Sequence, residues 1–148
     1  MKTLCTELQS ILHEQIPIAR AMGVEIVEFV SGELVLRADL AANINVHGTA
    51  FAGSLYSICA LSGWSMIWLQ LRARELQGHI VIRQGQIEYL RPVSEDFECR
   101  CSVDQEAVGA MIAKLESANS IEIPLVCTVD SGGRRAVRFG AAYTIRLR

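Results

Sequence analysis

The sequence predicts an α+β fold in which an antiparallel sheet wraps around one long central helix. Two observations carry the prediction. Across residues 53–74 the chain is apolar on nearly every side, with Tyr56, Trp64 and Trp68 separated by four residues or a multiple of four, the pattern of a helix enclosed by protein. Around it lie runs rich in β-branched and aromatic residues, bounded by short glycine-bearing turns, which is how antiparallel strands read in a sequence. With 148 residues, 51% of them apolar, the chain has material for a single domain, 1–148, around one sizeable core.

Taken in order, Leu4, Leu8, Ile11 and Leu12 recur at helical spacing with Glu7, Gln9 and Glu14 between them, and Pro17 stops the pattern. An amphipathic N-terminal helix is expected. Residues 24–30 and 33–39 read as a hairpin turned by Ser31-Gly32. A polar loop follows at 42–49. Beyond the long helix, whose C-terminal end carries Arg72 and Arg74, residues 78–90, 97–103, 124–130 and 135–147 read as strands, the last two joined through Ser131-Gly132-Gly133. Residues 106–117 are expected to form a short surface helix. No repeat, linker or low-complexity segment interrupts this αββαββαββ order. Such a sheet leaves a face or an edge uncovered, so a dimer is expected.

Composition excludes several classes of function. A formal net charge of -2 and the lack of an aromatic stacking platform argue against nucleic acid. The apolar run at 55–71 is shorter than the roughly 20 residues a spanning helix needs, and it carries Ser57, Ser62, Gly63, Ser65 and Gln70. No membrane association is expected. Five cysteines, Cys5, Cys59, Cys99, Cys101 and Cys127, form an odd set without paired metal spacing. They read as reduced residues of a cytoplasmic protein, with Cys99 and Cys101 expected on opposite faces of their strand. Residues 1–15 lack the pattern of a secretory signal.

The informative stretch runs from Asn43 through Asn45, His47, Gly48, Thr49, Phe51 and Gly53 to Ser54, immediately before the apolar helix. A helix start leaves backbone N–H groups free and carries a partial positive charge, so the amides of Gly53 and Ser54 can face an oxygen that becomes anionic. Asn45 adds an amide that donates without titrating. Simpler readings stand beside these. Asn43 and Asn45 suit turns, His47 suits a loop-orienting bond, and Ser54 suits a helix start. Thr49, Ser54 and Ser57 have no Asp-His pair placed to make them nucleophiles. Tyr56, Trp64 and Trp68 suit a core, and His13 and His79 a structural role.

This stretch resembles the loop of hotdog-fold thioesterases of the phenylacetate-degradation type, in which an Asn-Gly-His element precedes a His-Gly-Gly helix start. Asn45 and His47 fall on the Asn and His of that element, and Phe51-Ala52-Gly53 stands where His-Gly-Gly would be. Over nearly the whole chain the sequence is similar to the YiiD C-terminal domain family, carried by the run 47–64 with its Gly-Thr-Ala-Phe and Gly-Ser-Leu-Tyr-Ser strings. The resemblance implies a hotdog fold, a homodimer that in some relatives pairs into a tetramer, and no metal or dissociable cofactor. It implies as substrate an acyl thioester carried on coenzyme A or on the 4'-phosphopantetheine of acyl carrier protein. On that basis Asn45, His47, Gly53 and Ser54 are the expected catalytic groups, and Asn43, Gly48, Thr49, Phe51, Leu55 and Tyr56 the expected substrate pocket. Arg72, Arg74, Arg83, Arg91, Arg134, Arg135 and Arg138 are candidates for the carrier's phosphates, or simply solvated.

What is missing separates two reactions. The related thioesterases place a water-activating carboxylate at the position of Ala60, and this chain has no Asp or Glu between Asp39 and Glu75. A hydrolase would have to use Glu88, Asp96, His47 or a residue of a second copy as its base. Decarboxylation of a malonyl thioester, the reaction that the resemblance to the YiiD C-terminal family implies beside hydrolysis and the step that yields acetyl-ACP in the initiation of fatty acid synthesis, needs oxyanion donors and no base. Between the two, the missing acid makes decarboxylation the expectation. Thioester hydrolysis and non-catalytic binding of an acyl thioester or carrier protein are the alternatives.

Overall fold

The computed structural model describes residues 1–148. Helices α1 (Lys2–Gln15) and α2 (Pro17–Ala21) lead into strands β1 (Glu25–Val30) and β2 (Glu33–Ala38). A single 3-10 turn (Ala41–Asn43) and a short loop precede helix α3 (Ala52–Arg72). Then come β3 (Gly78–Tyr89), β4 (Phe97–Ser102), α4 (Gln105–Ala118), β5 (Ser120–Ser131) and β6 (Arg134–Leu147). All six strands form one antiparallel sheet in the order β1-β2-β4-β5-β6-β3, wrapped around α3. This is the expected α+β hotdog arrangement.

The departures have local causes. Pro17 does not merely end the first helix; its fixed φ and missing N–H suit the first turn of a second one, α2. Strand β5 starts four residues earlier than expected, because Asn119 takes a left-handed conformation (φ 62°) that ends α4 and turns the chain directly into the strand. Pro124 fits inside β5 because β4 pairs only with its far half, Cys99–Cys101 against Cys127–Val129. On that side the first half of β5 is an unpaired edge, where a missing N–H costs nothing. The two hairpins turn on Ser31-Gly32 and Gly132-Gly133, all four residues at positive φ, as the twist of a tight hairpin requires.

Helix α3 fastens to the sheet through polar contacts that fix its rotation. Tyr143 on β6, fully buried, donates its hydroxyl to the Ala60 carbonyl at 2.8 Å, and the Trp64 Nε1 donates to the Ile80 carbonyl of β3 at 3.2 Å. The expected split of Cys99 and Cys101 onto opposite faces is wrong: residues two apart in a strand share a face, and both thiols are fully buried in the core with those of Cys59 and Cys127. A stripe of α3 comprising Tyr56, Ala60, Leu61, Trp64 and Trp68 stays half-exposed, and β3 has no neighbour along its outer edge.

The closeness of Tyr143 to Gly63 gives a test of this packing. An alanine Cβ at position 63 would collide with the Tyr143 ring and hydroxyl. Elsewhere in a helix, Gly→Ala stabilises by about 1 kcal/mol. Here we expect Gly63→Ala to destabilise by about 1–3 kcal/mol, the usual cost of overpacking, measured by urea unfolding, and Tyr143→Phe to recover part of that loss.

Candidate active site

The loop before α3 is a miniature hairpin organised by one side chain. Its ends are joined by the Ile44–Ala50 bridge, and its tip turns at Gly48 with φ 78°. Asn45, half-buried, fills the inside. Its Oδ1 accepts from the backbone N–H of His47 at 2.8 Å and of Thr49 at 3.1 Å. Its Nδ2 donates to Thr49 Oγ1 at 2.8 Å and, more loosely, to the Ala50 carbonyl at 3.4 Å. The carboxamide therefore performs the work of a turn, as the simpler reading had it. One N–H, on the long bond, remains weakly held and can turn to a ligand.

Asn43 anchors the whole loop. It is 3% exposed, its Nδ2 donates to the carbonyls of Met22 and Asp39 at 2.8 Å each, and its own carbonyl accepts from Phe51 N–H at 2.7 Å. These bonds leave it no donor for a substrate, which corrects its place in the expected pocket. A further bond, from Ala50 N–H to the Val93 carbonyl at 2.7 Å, ties the loop to the segment after β3.

Helix α3 begins at Ala52 with no side chain capping it. Among its first N–H groups, Leu55 makes the ordinary bond to the Phe51 carbonyl at 3.1 Å, and Ser54 also bonds that carbonyl, at 3.0 Å. Ser54 is thus not the free donor it was expected to be. The N–H groups of Ala52 and Gly53 have no partner, and they carry the positive end of the helix dipole. The Phe51 ring lies directly against Gly53, in the space a Cβ would occupy, so a larger residue there would push the exposed ring aside.

At this helix mouth lies a cavity of about 330 Å³ lined by Asn45, Thr49, Ala50, Ala52 and Leu55 on one side and by Tyr89, Leu90, Arg91, Pro92 and Val93 on the other. Of the expected residues it gathers Asn45, Thr49 and Leu55. His47 and Gly48 sit on the exposed outer turn, the His47 ring bonded to nothing. Phe51 lies on Gly53, 55% exposed, and Tyr56 turns inward, edge-on to Phe139 with centroids 5.0 Å apart. Neither walls the cavity.

Apart from Arg91, one of seven arginines named for the carrier's phosphates, sequence reasoning missed the far wall because it comes from the end of β3, with Tyr89 37 residues beyond Ala52. Tyr89 donates its hydroxyl to the Ala52 carbonyl at 2.9 Å, clamping the strand end to the helix start. Burial, followed by the neighbouring Cys59 and Tyr56, pushes its phenol up from the usual tyrosine range, so it remains a donor at neutral pH. Pro92, the one proline between the third and fourth strands, was the available signal for this segment.

No carboxylate lines the cavity. Glu88 lies 3.8 Å from Arg138 on the exposed side of the sheet. Asp96 accepts from Leu40 N–H at 2.9 Å and from Arg37 at 3.2 Å, and these bonds hold its carboxyl below the usual range. The arginines largely pair off too: Arg72 with Glu7, Arg83 with Glu122, Arg135 with Asp130. Arg91 alone reaches the cavity, and it makes no ion pair.

Two comparisons place the chain among known proteins. In structure, the chain is similar to a putative thioesterase from Shewanella oneidensis, at 31% identity and TM-score 0.91 with both chains fully covered. It is also similar to a protein of unknown function from Chlorobaculum tepidum, at 25% identity and TM-score 0.95 over 99% of this chain and 96% of that one. A probable thioesterase from Pseudomonas aeruginosa, 18% identical with TM-score 0.84 over 97% and 95%, shares the fold. In sequence, the profile of the family described as "Putative thioesterase (yiiD_Cterm)" matches residues 5–147, and the chain belongs to that family.

Proposed function

We propose that the protein acts on acyl thioesters of acyl carrier protein or coenzyme A, and that its reaction is the decarboxylation of malonyl-ACP to acetyl-ACP. The supporting observation is the cavity at the mouth of α3, which is lined by Asn45 and by Ala52, whose peptide N–H has no partner, and by no acid; the free N–H of Gly53 is the next along the helix start. When a malonyl thioester loses CO₂, the C–C bond breaks and its electron pair moves toward the thioester oxygen, giving an enolate. That oxygen gains the charge, and the Ala52 and Gly53 amides with the loose N–H of Asn45 are the donors suited to hold it. A proton from water then completes the acetyl group. No base is called for at the step that breaks the bond.

Apolar Leu55, Leu90 and Val93 in the wall favour loss of the carboxylate charge at the other end of the substrate. Unpaired Arg91 at the rim suits the phosphate of the pantetheine arm. For the assembly, the open edge of β3 and the half-exposed stripe of α3 support a homodimer joined strand to strand, with the thioester held near the junction. No helix is long and apolar enough to cross a membrane, and we place the activity in the cytoplasm, where carrier proteins are loaded.

Hydrolysis is the competing reaction, and membership of a family described as thioesterases is what favours it. Incubation of the purified protein with malonyl-ACP, followed by mass spectrometry of the carrier, separates the two. We expect acetyl-ACP; bare ACP would mean hydrolysis, and unchanged malonyl-ACP a binding module.

A pair of substitutions tests the roles of the loop. Asn45→Asp keeps the acceptor that organises the turn and removes the donor, so turnover should fall by about 100-fold or more, the usual loss for one oxyanion donor. His47→Gln should change turnover by less than about threefold, because the ring contacts nothing. A loss of 100-fold or more on removing His47, the scale of a lost general base, would instead point to hydrolysis.

A further inference from the structure

Nearly the full length of α3 from the candidate active site, the sheet is split. Strand β4 ends at Ser102 and leaves the first half of β5 paired with β6 alone, and α4 lines the gap on the other side. The opening is a cavity of about 420 Å³ whose walls are mostly apolar, within the range of small-molecule sites. Its floor is α3, where Met66, Ile67 and Gln70 are each at least 96% buried.

Gln70 is the unusual member of this floor. Its Oε1 accepts from Arg74 Nη1 at 3.0 Å, which fixes the orientation of the amide, since the reversed group would set an NH₂ against a guanidinium. Nε2 is thereby committed to the other side, where its one partner is the Met66 thioether at 3.6 Å. A thioether is a weak acceptor, and two N–H groups on a buried nitrogen are worth far more to an oxygen. An amide donor set in an apolar floor is the arrangement by which a site orients a ligand that is apolar except for one acceptor.

We propose that this cleft is a second binding site, distinct from the one at the mouth of α3, for an unbranched apolar chain ending in a neutral carbonyl, such as a ketone or ester. The chain lies between α4 and β5 along Ala107, Met111 and Val126, and the carbonyl accepts from Gln70 Nε2. The ligand is neutral because Asp104 stands on the rim and no unpaired cation faces it. Val126, 57% exposed beside the opening, marks the way in.

Two methionines in the lining, Met66 and Met111, supply reporters, while Met1 and Met22 lie outside it. With the methionine methyls labelled with ¹³C, titration of the full chain with 2-octanone should shift Met66 and Met111 and leave Met22 in place. Gln70→Leu should weaken this binding about tenfold, the scale of one buried hydrogen bond, and leave octane unaffected. Ala107→Trp, at an exposed helix position that tolerates bulk, should abolish binding while the fold is retained by circular dichroism. Absence of shifts at saturation, equal affinity for Gln70→Leu, tighter binding of octanoate, or loss of binding in Leu55→Trp would each overturn the proposal. So would shifts of Met66 and Met111 that follow protein concentration alone, which would assign the cleft to a second copy of the chain. None of these readouts depends on the reaction at the other site.

Discussion

A helix cannot bond the N–H groups of its own first turn, and in this protein that turn opens into a cavity instead of being capped. The free amides of Ala52 and Gly53 exist because Phe51 brings no capping oxygen and no side chain of the loop accepts from them. Everything else about the site supports that opening. Asn43 and Asn45 hold the hairpin rigid, Tyr89 clamps the strand end to Ala52, and Gly53 gives the Phe51 ring room. What results is a patch of positive potential at the helix start, which suits the oxyanion role we propose for it.

The same fold bears on the reaction we propose for those donors. Enclosing α3 in a sheet makes its flanks apolar, and an apolar flank such as Ala60, whose carbonyl is already taken up by Tyr143, offers no carboxylate to activate water. The two acids that could have been borrowed, Glu88 and Asp96, point into ion pairs elsewhere. A site with donors and without a base suits the departure of CO₂ better than the attack of water.

Much of the fold was legible because its determinants are local. The all-round apolar run of α3, the Ser31-Gly32 and Gly132-Gly133 turns, and the alternation within the strands each need only neighbouring residues, and apart from the early start of β5 their elements begin and end within a residue or two of expectation. The site was legible only on its near side. Asn45, Thr49 and Leu55 lie within a few residues of the helix start, whereas Tyr89 and Arg91 reach the cavity only because β3 runs back past that start. Ser54 was misassigned for a subtler reason: its residue type is right for a helix start, but which N–H bonds the Phe51 carbonyl depends on how tightly the first turn winds, and side-chain pattern does not encode that. Asn43 and Asn45, alike in sequence, divide into buried anchor and cavity wall by the direction in which the loop folds.

We propose that a thioester carbonyl rests on the Ala52 and Gly53 amides and the Asn45 carboxamide. Difference infrared spectroscopy of acetyl-CoA labelled with ¹³C at the carbonyl and bound to the protein reports this directly. The account predicts a carbonyl band at lower frequency than in water, with part of the displacement lost in Asn45→Asp; a band at or above its position in water, unmoved by that substitution, would contradict it.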